Sequence, residues 1–531
     1  EQLSAYRHDL DRIAPHLSAR LKSRYFQQPI IRSSVDLNMQ LKTEAILKNY
    51  VEQLYHANIN NATAIIIDNK TMQVKAYVGS ADYYSDRDGG QVDGIRAIRS
   101  PGSTLKPLLY GLAIDEGLIT PLSVVADVPV NFSGYQPRNY RENYNGNVTI
   151  TYALANSLNV PAVKVLHELK PQKLINSLVA ADFNQVKKDR EFLGLSTVLG
   201  GCGATLEELA RLYAAFAHDG RMSELNYLHA DTIGKEQTVL SEQTNYMISE
   251  ILTSVTRPDL PAFWKNSENL PKVAWKTGTS YGRRDAWSIG FNKRYTIGVW
   301  VGNFSGEGIQ ELTGADKAAP LLFNIFNSVD RESSKEWFTM PTGVQFRFVC
   351  TETGMVPDTF CNNQKLDYFL PGKSDYRTCD HAKPIIISPD SSISYCTSCQ
   401  PESGYINALY PNLKPELLAF YASEKISFIN IPPHNPDCER VFTGDGPRIT
   451  SPIDKLEYLI DQNDSMQVML SCHTANNVEK VFWYINDKFY RETAAGEEIY
   501  FSPPEGAVKI ACSDDKGRYT TIGIDVKKIR F

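Results

Sequence analysis

Between Leu3 and Tyr25 the apolar residues Leu10, Ile13, Leu17 and Leu21 recur at three- and four-residue steps, which predicts a lead-in helix. Ile30 to Val35 reads as a strand, and Asn38 to Tyr55 returns to the helical period with Leu41, Ala45, Leu47 and Val51. The period then drops to two in Ala62 to Asp68 and Gln73 to Val78, which flank Asn69-Lys70 as the arms of a hairpin. Helices are expected again at Ala153 to Leu169 and at Thr205 to His218, the latter opened by Thr205 and Glu208 at capping-box spacing. Strands resume at Val273 to Lys276, Ala286 to Phe291 and Thr296 to Val301, with Asn292-Lys293-Arg294 turning between the last two, and a helix closes the segment at Ala315 to Phe326. Strands from both ends with helices between them predict an α+β domain, an antiparallel sheet layered with helices.

Beyond Phe338 the pattern shifts to short strands with frequent Pro and Gly, and six cysteines fall before Arg440. From Arg448 the alternating runs Met466 to Cys472, Val481 to Ile485 and Val508 to Cys512 predict a small β-sandwich. The organisation expected is a linker at 1–29, an α+β domain at 30–338, a Cys-rich connecting region at 339–446 and a C-terminal sandwich at 447–531.

Length and composition agree with several domains: 531 residues exceed what one core supports, and 42% hydrophobic with 22% charged residues is ordinary for globular protein. No run approaches the roughly 20 apolar residues that span a bilayer. The first dozen residues lack an apolar signal core, so an export signal or anchor is expected to lie upstream or to have been removed. A net charge of −6 argues against nucleic acid or an anionic membrane surface as the main ligand.

Three short motifs carry candidate chemistry: Ser103-Thr104-Leu105-Lys106, Ser157-Leu158-Asn159 and Lys276-Thr277-Gly278-Thr279. Each alone is a common surface pattern, but in this order they match the motif set of serine β-lactamases and penicillin-binding proteins. Pro101-Gly102 should feed Ser103 into a helix N-terminus, where N–H groups favour developing negative charge. Lys106, three residues on, can reach the serine oxygen as a base if burial and a second cation, Lys276, lower its pKa. Ser157 can relay a proton to a leaving amine while Asn159 holds a substrate amide. Lys276 to Thr279 reads as an edge strand on which a peptide can add, with Gly278 giving the substrate backbone close approach. The N–H groups of Ser103 and Thr279 would form the oxyanion hole, and the Thr277 and Thr279 hydroxyls would bind a terminal carboxylate. No cofactor and no metal is called for.

The run Arg99-Ser100-Pro101-Gly102-Ser103-Thr104-Leu105-Lys106-Pro107 resembles class A penicillin-binding proteins, as do Thr151 to Pro161, Trp275 to Ser280, Asp285 to Phe291 and Gly298 to Asn303. The resemblance covers most of residues 30–330, and it implies a peptidoglycan D,D-transpeptidase of the serine penicillin-binding fold. Ser103 would attack the D-Ala-D-Ala bond of a stem peptide and pass the acyl group to a neighbouring stem, and β-lactams would acylate it. The glycosyltransferase domain and membrane anchor usual in that class find no match, and residues 1–29 resemble only the linker after them. A periplasmic enzyme held to the inner membrane by an anchor outside these residues is implied.

Residues 447–531, with Trp483-Tyr484-Ile485-Asn486 and Asp515-Lys516-Gly517-Arg518, resemble a C-terminal domain found in one branch of the family, for which binding a periplasmic protein partner is the default expectation and a structural lid on the transpeptidase the alternative. Rival readings are a β-lactamase or D-Ala carboxypeptidase with the same residues, and a penicillin sensor or scaffold with little turnover. Cys396-x-x-Cys399 with Cys350, Cys361, Cys379, His381 and Cys438 fits a zinc ribbon, but an exported enzyme favours disulfides, with Cys350–Cys361, Cys396–Cys399, Cys379–Cys438 and Cys472–Cys512 as the pairs expected. Cys202 is expected to be a small buried residue.

Overall fold

The computed structural model describes residues 12–529 except 87, 133–134, 230–231, 261–271, 331–335, 398, 439–445, 462–466 and 476–477. The chain packs as two units. One comprises residues 1–123, 149–348 and 366–376, the other 124–148, 349–365 and 377–531. Residues 124–148 therefore belong with the C-terminal unit, although they lie inside the segment expected at 30–338.

The first unit is built on a five-stranded antiparallel sheet of β1 (Asn61–Asp68), β2 (Gln73–Val78), β3 (Ala274–Thr279), β4 (Asp285–Phe291) and β5 (Tyr295–Gly302), in the order β2-β1-β5-β4-β3. The hairpin of β1 and β2 forms as predicted, with Asp68 opposite Gln73. β5 reaches across the chain to pair with β1, Ile66 opposite Ile297, so the sheet closes only when both ends of the unit are present.

Every residue of β4 and β5 is buried, because helices cover both faces. Alternation along the strands sorts the faces. Ala62, Ala64 and Ile66 of β1 and Ile297, Val299 and Val301 of β5 share a core with Leu47 and Val51 of the helix Leu37–Leu54, and with Leu321, Leu322 and Ile325 of the helix Ala319–Val329. On the opposite face a Cβ on Gly298 would come within 2.9 Å of Leu206 and 3.4 Å of Ala210, which belong to the helix Leu206–Phe216. That helix carries the capping box foreseen: the Thr205 hydroxyl accepts from the Glu208 N–H at 3.1 Å, and the Glu208 carboxylate accepts from the Thr205 N–H at 2.9 Å.

Several expectations are corrected. The lead-in helix is seen as Pro15–Arg24, with Leu3 and Leu10 outside the described residues. Ile30 to Val35 is not a strand: only Ser33 makes an isolated bridge, to Leu228, although the Asp36 N–H that follows donates to the Lys75 carbonyl of β2. The single helix expected at Ala153 to Leu169 is two, Ile150–Ala155 and Asn159–Leu169, separated by Ser157 at φ 56°. The last helix of the unit is entered through a π-helical turn, Gly314–Ala318.

The C-terminal sandwich consists of a three-stranded sheet (Arg448–Ser451, Val468–His473, Ile499–Phe501) against a five-stranded one that contains Lys480–Ile485 and Gly506–Asp514. Met466, where the first alternating run was expected to begin, lies outside the described residues. Inner positions Val468, Leu470, Cys472, Val481, Trp483, Ile510 and Cys512 form its core.

The predicted disulfides are not formed. Cys472 Sγ and Cys512 Sγ are 3.7 Å apart and Cys396 Sγ and Cys399 Sγ also 3.7 Å, far beyond the ~2.05 Å of a sulfur–sulfur bond. Cys350 and Cys361 share a cluster with Cys379 and His381, whereas Cys438 joins Cys396, Cys399 and His434, so Cys379 and Cys438 are not partners. The six sulfurs of these two clusters converge in threes around a histidine, which bonding in pairs within a cluster cannot satisfy. Thr205→Ala, which removes the reciprocal cap, is expected to lower unfolding stability by about 1 kcal/mol in a urea titration.

Candidate active site

Ser103 lies in a 3-10 turn, Gly102–Leu105, that runs directly into the helix Lys106–Asp115. The α-helix expected to begin at the serine starts three residues later, and the Lys106 N–H donates to the Ser103 carbonyl. Side chains three apart in such a turn eclipse one another, so Ser103 and Lys106 emerge on the same side.

The turn is pressed against β3, the edge strand that carries the third motif. A Cβ on Gly278 would sit 2.5 Å from the Pro101 carbonyl oxygen and 2.7 Å from Thr104 Cγ2. Gly102, at φ +55°, has room for no Cβ either: it would meet the Thr279 oxygen at 2.6 Å and nitrogen at 2.7 Å. Gly278 is therefore needed for the approach of the serine turn, where a substrate backbone was expected to make that demand. Around the turn, Trp287 Nε1 donates to the Ser100 carbonyl at 2.8 Å and the Tyr213 hydroxyl to the Thr104 carbonyl at 2.7 Å.

The second motif sits at the helix break. The N–H groups of Ser157 and Leu158 donate to Leu154 O (3.1 Å) and Ala153 O (2.9 Å), closing the first helix. This turns main-chain oxygens toward Lys106, whose Nζ donates to Ser157 O (2.7 Å), Leu158 O (3.0 Å) and Asn159 Oδ1 (2.7 Å). The Lys106 side chain is fully buried.

Lys276 reaches the same place from β3. Its Nζ donates to Ser157 Oγ at 2.7 Å and to the Thr277 carbonyl at 2.9 Å, and burial without a carboxylate pushes its pKa down to about 7. The lowered amine seen here is Lys276, the second cation expected beside Lys106. Two buried amines thus meet at one residue, Ser157, the first at its carbonyl and the second at its hydroxyl.

Ser103, Ser157, Asn159, Thr277 and Thr279 are all half-buried, so their polar groups can reach a bound molecule. The Thr279 hydroxyl accepts from the Gly314 N–H at 2.9 Å, which leaves its own proton for an anion. Asn159 Oδ1 is engaged by Lys106, so a positioning role joins the substrate contact expected of it.

A supporting network passed unnoticed in the sequence. Arg99 lies 3.5 Å from Asp285 and 4.7 Å over the Trp300 ring, Trp300 Nε1 donates to Asp285 at 3.0 Å, and the Asp285 N–H donates to Ser280 Oγ at 2.8 Å. It fixes the chain on both sides of the junction between turn and strand. The signal available was the density of Arg, Asp and Trp next to the motifs. Cys202 takes no part: burial raises its thiol to about 12, which suppresses nucleophilicity.

Two family models match the chain: the penicillin binding protein transpeptidase domain over residues 62–309, and the Penicillin-Binding Protein C-terminus family over residues 436–525. Penicillin-binding protein 1C of Escherichia coli (strain K12) is 29% identical over 93% of this chain and 64% of its own length. Penicillin-binding protein 4 of Bacillus subtilis (strain 168) is 29% identical over 57% of this chain and 49% of its own length. The chain therefore spans less than two thirds of these relatives. Penicillin-binding protein 1A from Haemophilus influenzae superposes with a TM-score of 0.58 at 15% identity, covering 71% of this chain and 79% of that one. PonA1 from Mycobacterium tuberculosis, in complex with penicillin V, gives 0.51 at 18% identity, covering 62% and 94%. These structures share the fold.

Gly278→Ala is expected to cost about 1–3 kcal/mol by forcing the serine turn off β3, read from the urea midpoint. For Lys276 the folded state releases its proton near pH 7 and the unfolded state near 10.5. Between those values the unfolded chain holds the extra proton, so stability rises with pH through that window. Lys276→Met should accordingly melt at a higher temperature than wild type at about pH 6, with the gain shrinking toward about pH 10.

Proposed function

We infer, from a chain that belongs to the penicillin-binding proteins through a transpeptidase domain at residues 62–309 and a C-terminal module at residues 436–525, a D,D-transpeptidase that works through an acyl-enzyme on Ser103. The observation that carries this reading is the convergence of Lys106 and Lys276 on Ser157 beside the turn that bears Ser103.

Ser103 Oγ attacks the carbonyl carbon of the penultimate D-Ala while its proton passes to the neutral amine of Lys106. The Ser157 hydroxyl, which accepts from Lys276 Nζ, can relay a proton to the leaving amine, while its carbonyl holds Lys106 in place. The N–H groups of Ser103 and Thr279 serve the tetrahedral oxyanion; a Cβ on Gly278 would lie 3.4 Å from the first, and one on Gly102 2.7 Å from the second. Collapse breaks the peptide bond, the departing D-Ala amine takes a proton through Ser157, and an amine of a neighbouring stem later attacks the ester. Thr277 and Thr279 hold the terminal carboxylate and Asn159 the peptide.

Stem peptides as substrate imply the periplasm as the compartment. β-Lactams mimic the scissile amide and are trapped as the same ester. In the sandwich, exposed Phe489, Tyr500 and Tyr519 support a protein partner for residues 447–531.

Intact-mass measurement after incubation with a fluorescent penicillin tests the assignment. Wild type is expected to gain one penicilloyl group that persists for hours, and Ser103→Ala to gain none. Loss of the adduct within minutes would point to a hydrolase, and an adduct retained in Ser103→Ala would sink the assignment.

A further inference from the structure

Outside the transpeptidase site, the C-terminal unit contains two clusters of four side chains whose chemistry the proposed reaction does not use. The first joins Cys350, Cys361, Cys379 and His381, and the second Cys396, Cys399, His434 and Cys438; within each, all four ligand atoms lie within 4.8 Å of one another. From this geometry we propose that each cluster is a structural zinc site, a tetrahedral Cys3His centre.

The distances set zinc apart from disulfides. Four ligands at ~2.3 Å (sulfur) and ~2.05 Å (nitrogen) around a tetrahedral ion are separated by edges of about 3.8 Å for S···S and about 3.6 Å for S···N. In the second cluster Cys396 Sγ is 3.7 Å from both Cys399 Sγ and Cys438 Sγ, and Cys399 Sγ is 3.4 Å from His434 Nε2. In the first, His381 Nδ1 is 3.7, 3.6 and 3.1 Å from the sulfurs of Cys350, Cys361 and Cys379. Three sulfurs per cluster is an odd number, so disulfides confined to a cluster always leave one thiol over.

The surroundings suit thiolates. The Asp358 N–H donates to Cys361 Sγ at 3.3 Å, the Cys396 N–H to Cys399 Sγ at 3.3 Å, and the Thr353 hydroxyl to Cys379 Sγ at 3.0 Å. One contact opposes: the Asp358 carboxylate, 3.0 Å from Cys361 Sγ, must rotate away when that thiol loses its proton. Main-chain bonds hold the halves of the second cluster together, with Ser394 N–H donating to Pro433 O and Asn435 N–H to Ser394 O, both at 2.8 Å.

Packing supplies an independent reason. The buried nucleus around the first cluster consists of Cys350, Cys361 and Cys379 themselves, with Met355 packed against it. The neighbouring strands Gln345–Cys350, Gln364–Phe369 and Ala382–Ile387 leave most of their residues exposed or half-buried. A segment with so little apolar core needs cross-links, and a bound ion provides four per site. Each site forms by Zn²⁺ displacing three thiol protons while the imidazole binds neutral; nothing is oxidised.

The full chain, purified without chelator or reductant, is analysed by native mass spectrometry and elemental analysis. Two zinc ions per chain are expected, one in Cys379→Ser, one in Cys396→Ser and none in the double variant. Alkylation after denaturation in chelator should find all six cluster cysteines reduced. The wild-type count stands even if a variant fails to fold. One zinc in wild type retains only the site whose variant abolishes it. A wild type without zinc, two mass units lighter for each bonded pair of cluster cysteines, overturns the proposal for disulfides, and one without zinc but fully reduced overturns it outright.

Discussion

Two stretches of main chain in direct contact set the terms for the candidate site. The turn that presents Ser103 lies against β3, which presents Lys276, and glycine on each side makes the contact possible: Gly102 faces the backbone of Thr279, and Gly278 faces the carbonyl of Pro101. Gly200 packs as tightly, where a Cβ would lie 2.5 Å from the Gly102 nitrogen. With three partners this close, the serine has little freedom to drift relative to the strand. Trp287 and Tyr213, both buried, bind the turn to the sheet and to the helix behind it. The precision a nucleophile needs thus comes from backbone contact supported by large side chains.

What that arrangement encloses is unfavourable by itself. Two lysine side chains are taken out of water, and Ser157, which both touch, sits in left-handed backbone space. Each feature lowers the stability of the fold, and the covered sheet offsets them: β4 and β5 are buried along their whole length. The cost of the site and the thickness of the core beneath it belong together.

The sequence carried the sheet and the three motifs well, because period-two runs and the short patterns around Ser103, Ser157 and Lys276 are local signals. It misread features decided at a distance. The break at Ser157 was hidden by helical periodicity running through Ala153 to Leu169; the turn residues Asn156-Ser157 and Pro161 in the first turn of the next helix were the available clue. Gly278 was legible as a site of close approach, but its neighbour is another part of this chain, which no local pattern reveals. The acceptors around Lys106 come from main chain exposed by that same break, which no local pattern foretells. The cysteines were read by compartment and pairing, whereas their spatial grouping brings His381 and His434 into contact with them.

Residues 124–148 lead to a different kind of consequence. Ala126 and Val128 bury against Leu417 and Phe420, so a stretch made early finds its partners only after nearly three hundred more residues have been added. At roughly 5–20 residues per second that delay is on the order of 15 to 60 seconds. For that interval the stretch must remain open while the sheet on either side of it assembles. The second unit is consequently less an appendage to a finished domain than the late half of a fold begun near residue 124, and the chain's order of synthesis, as much as its final contacts, constrains how it can be cut, extended or recombined.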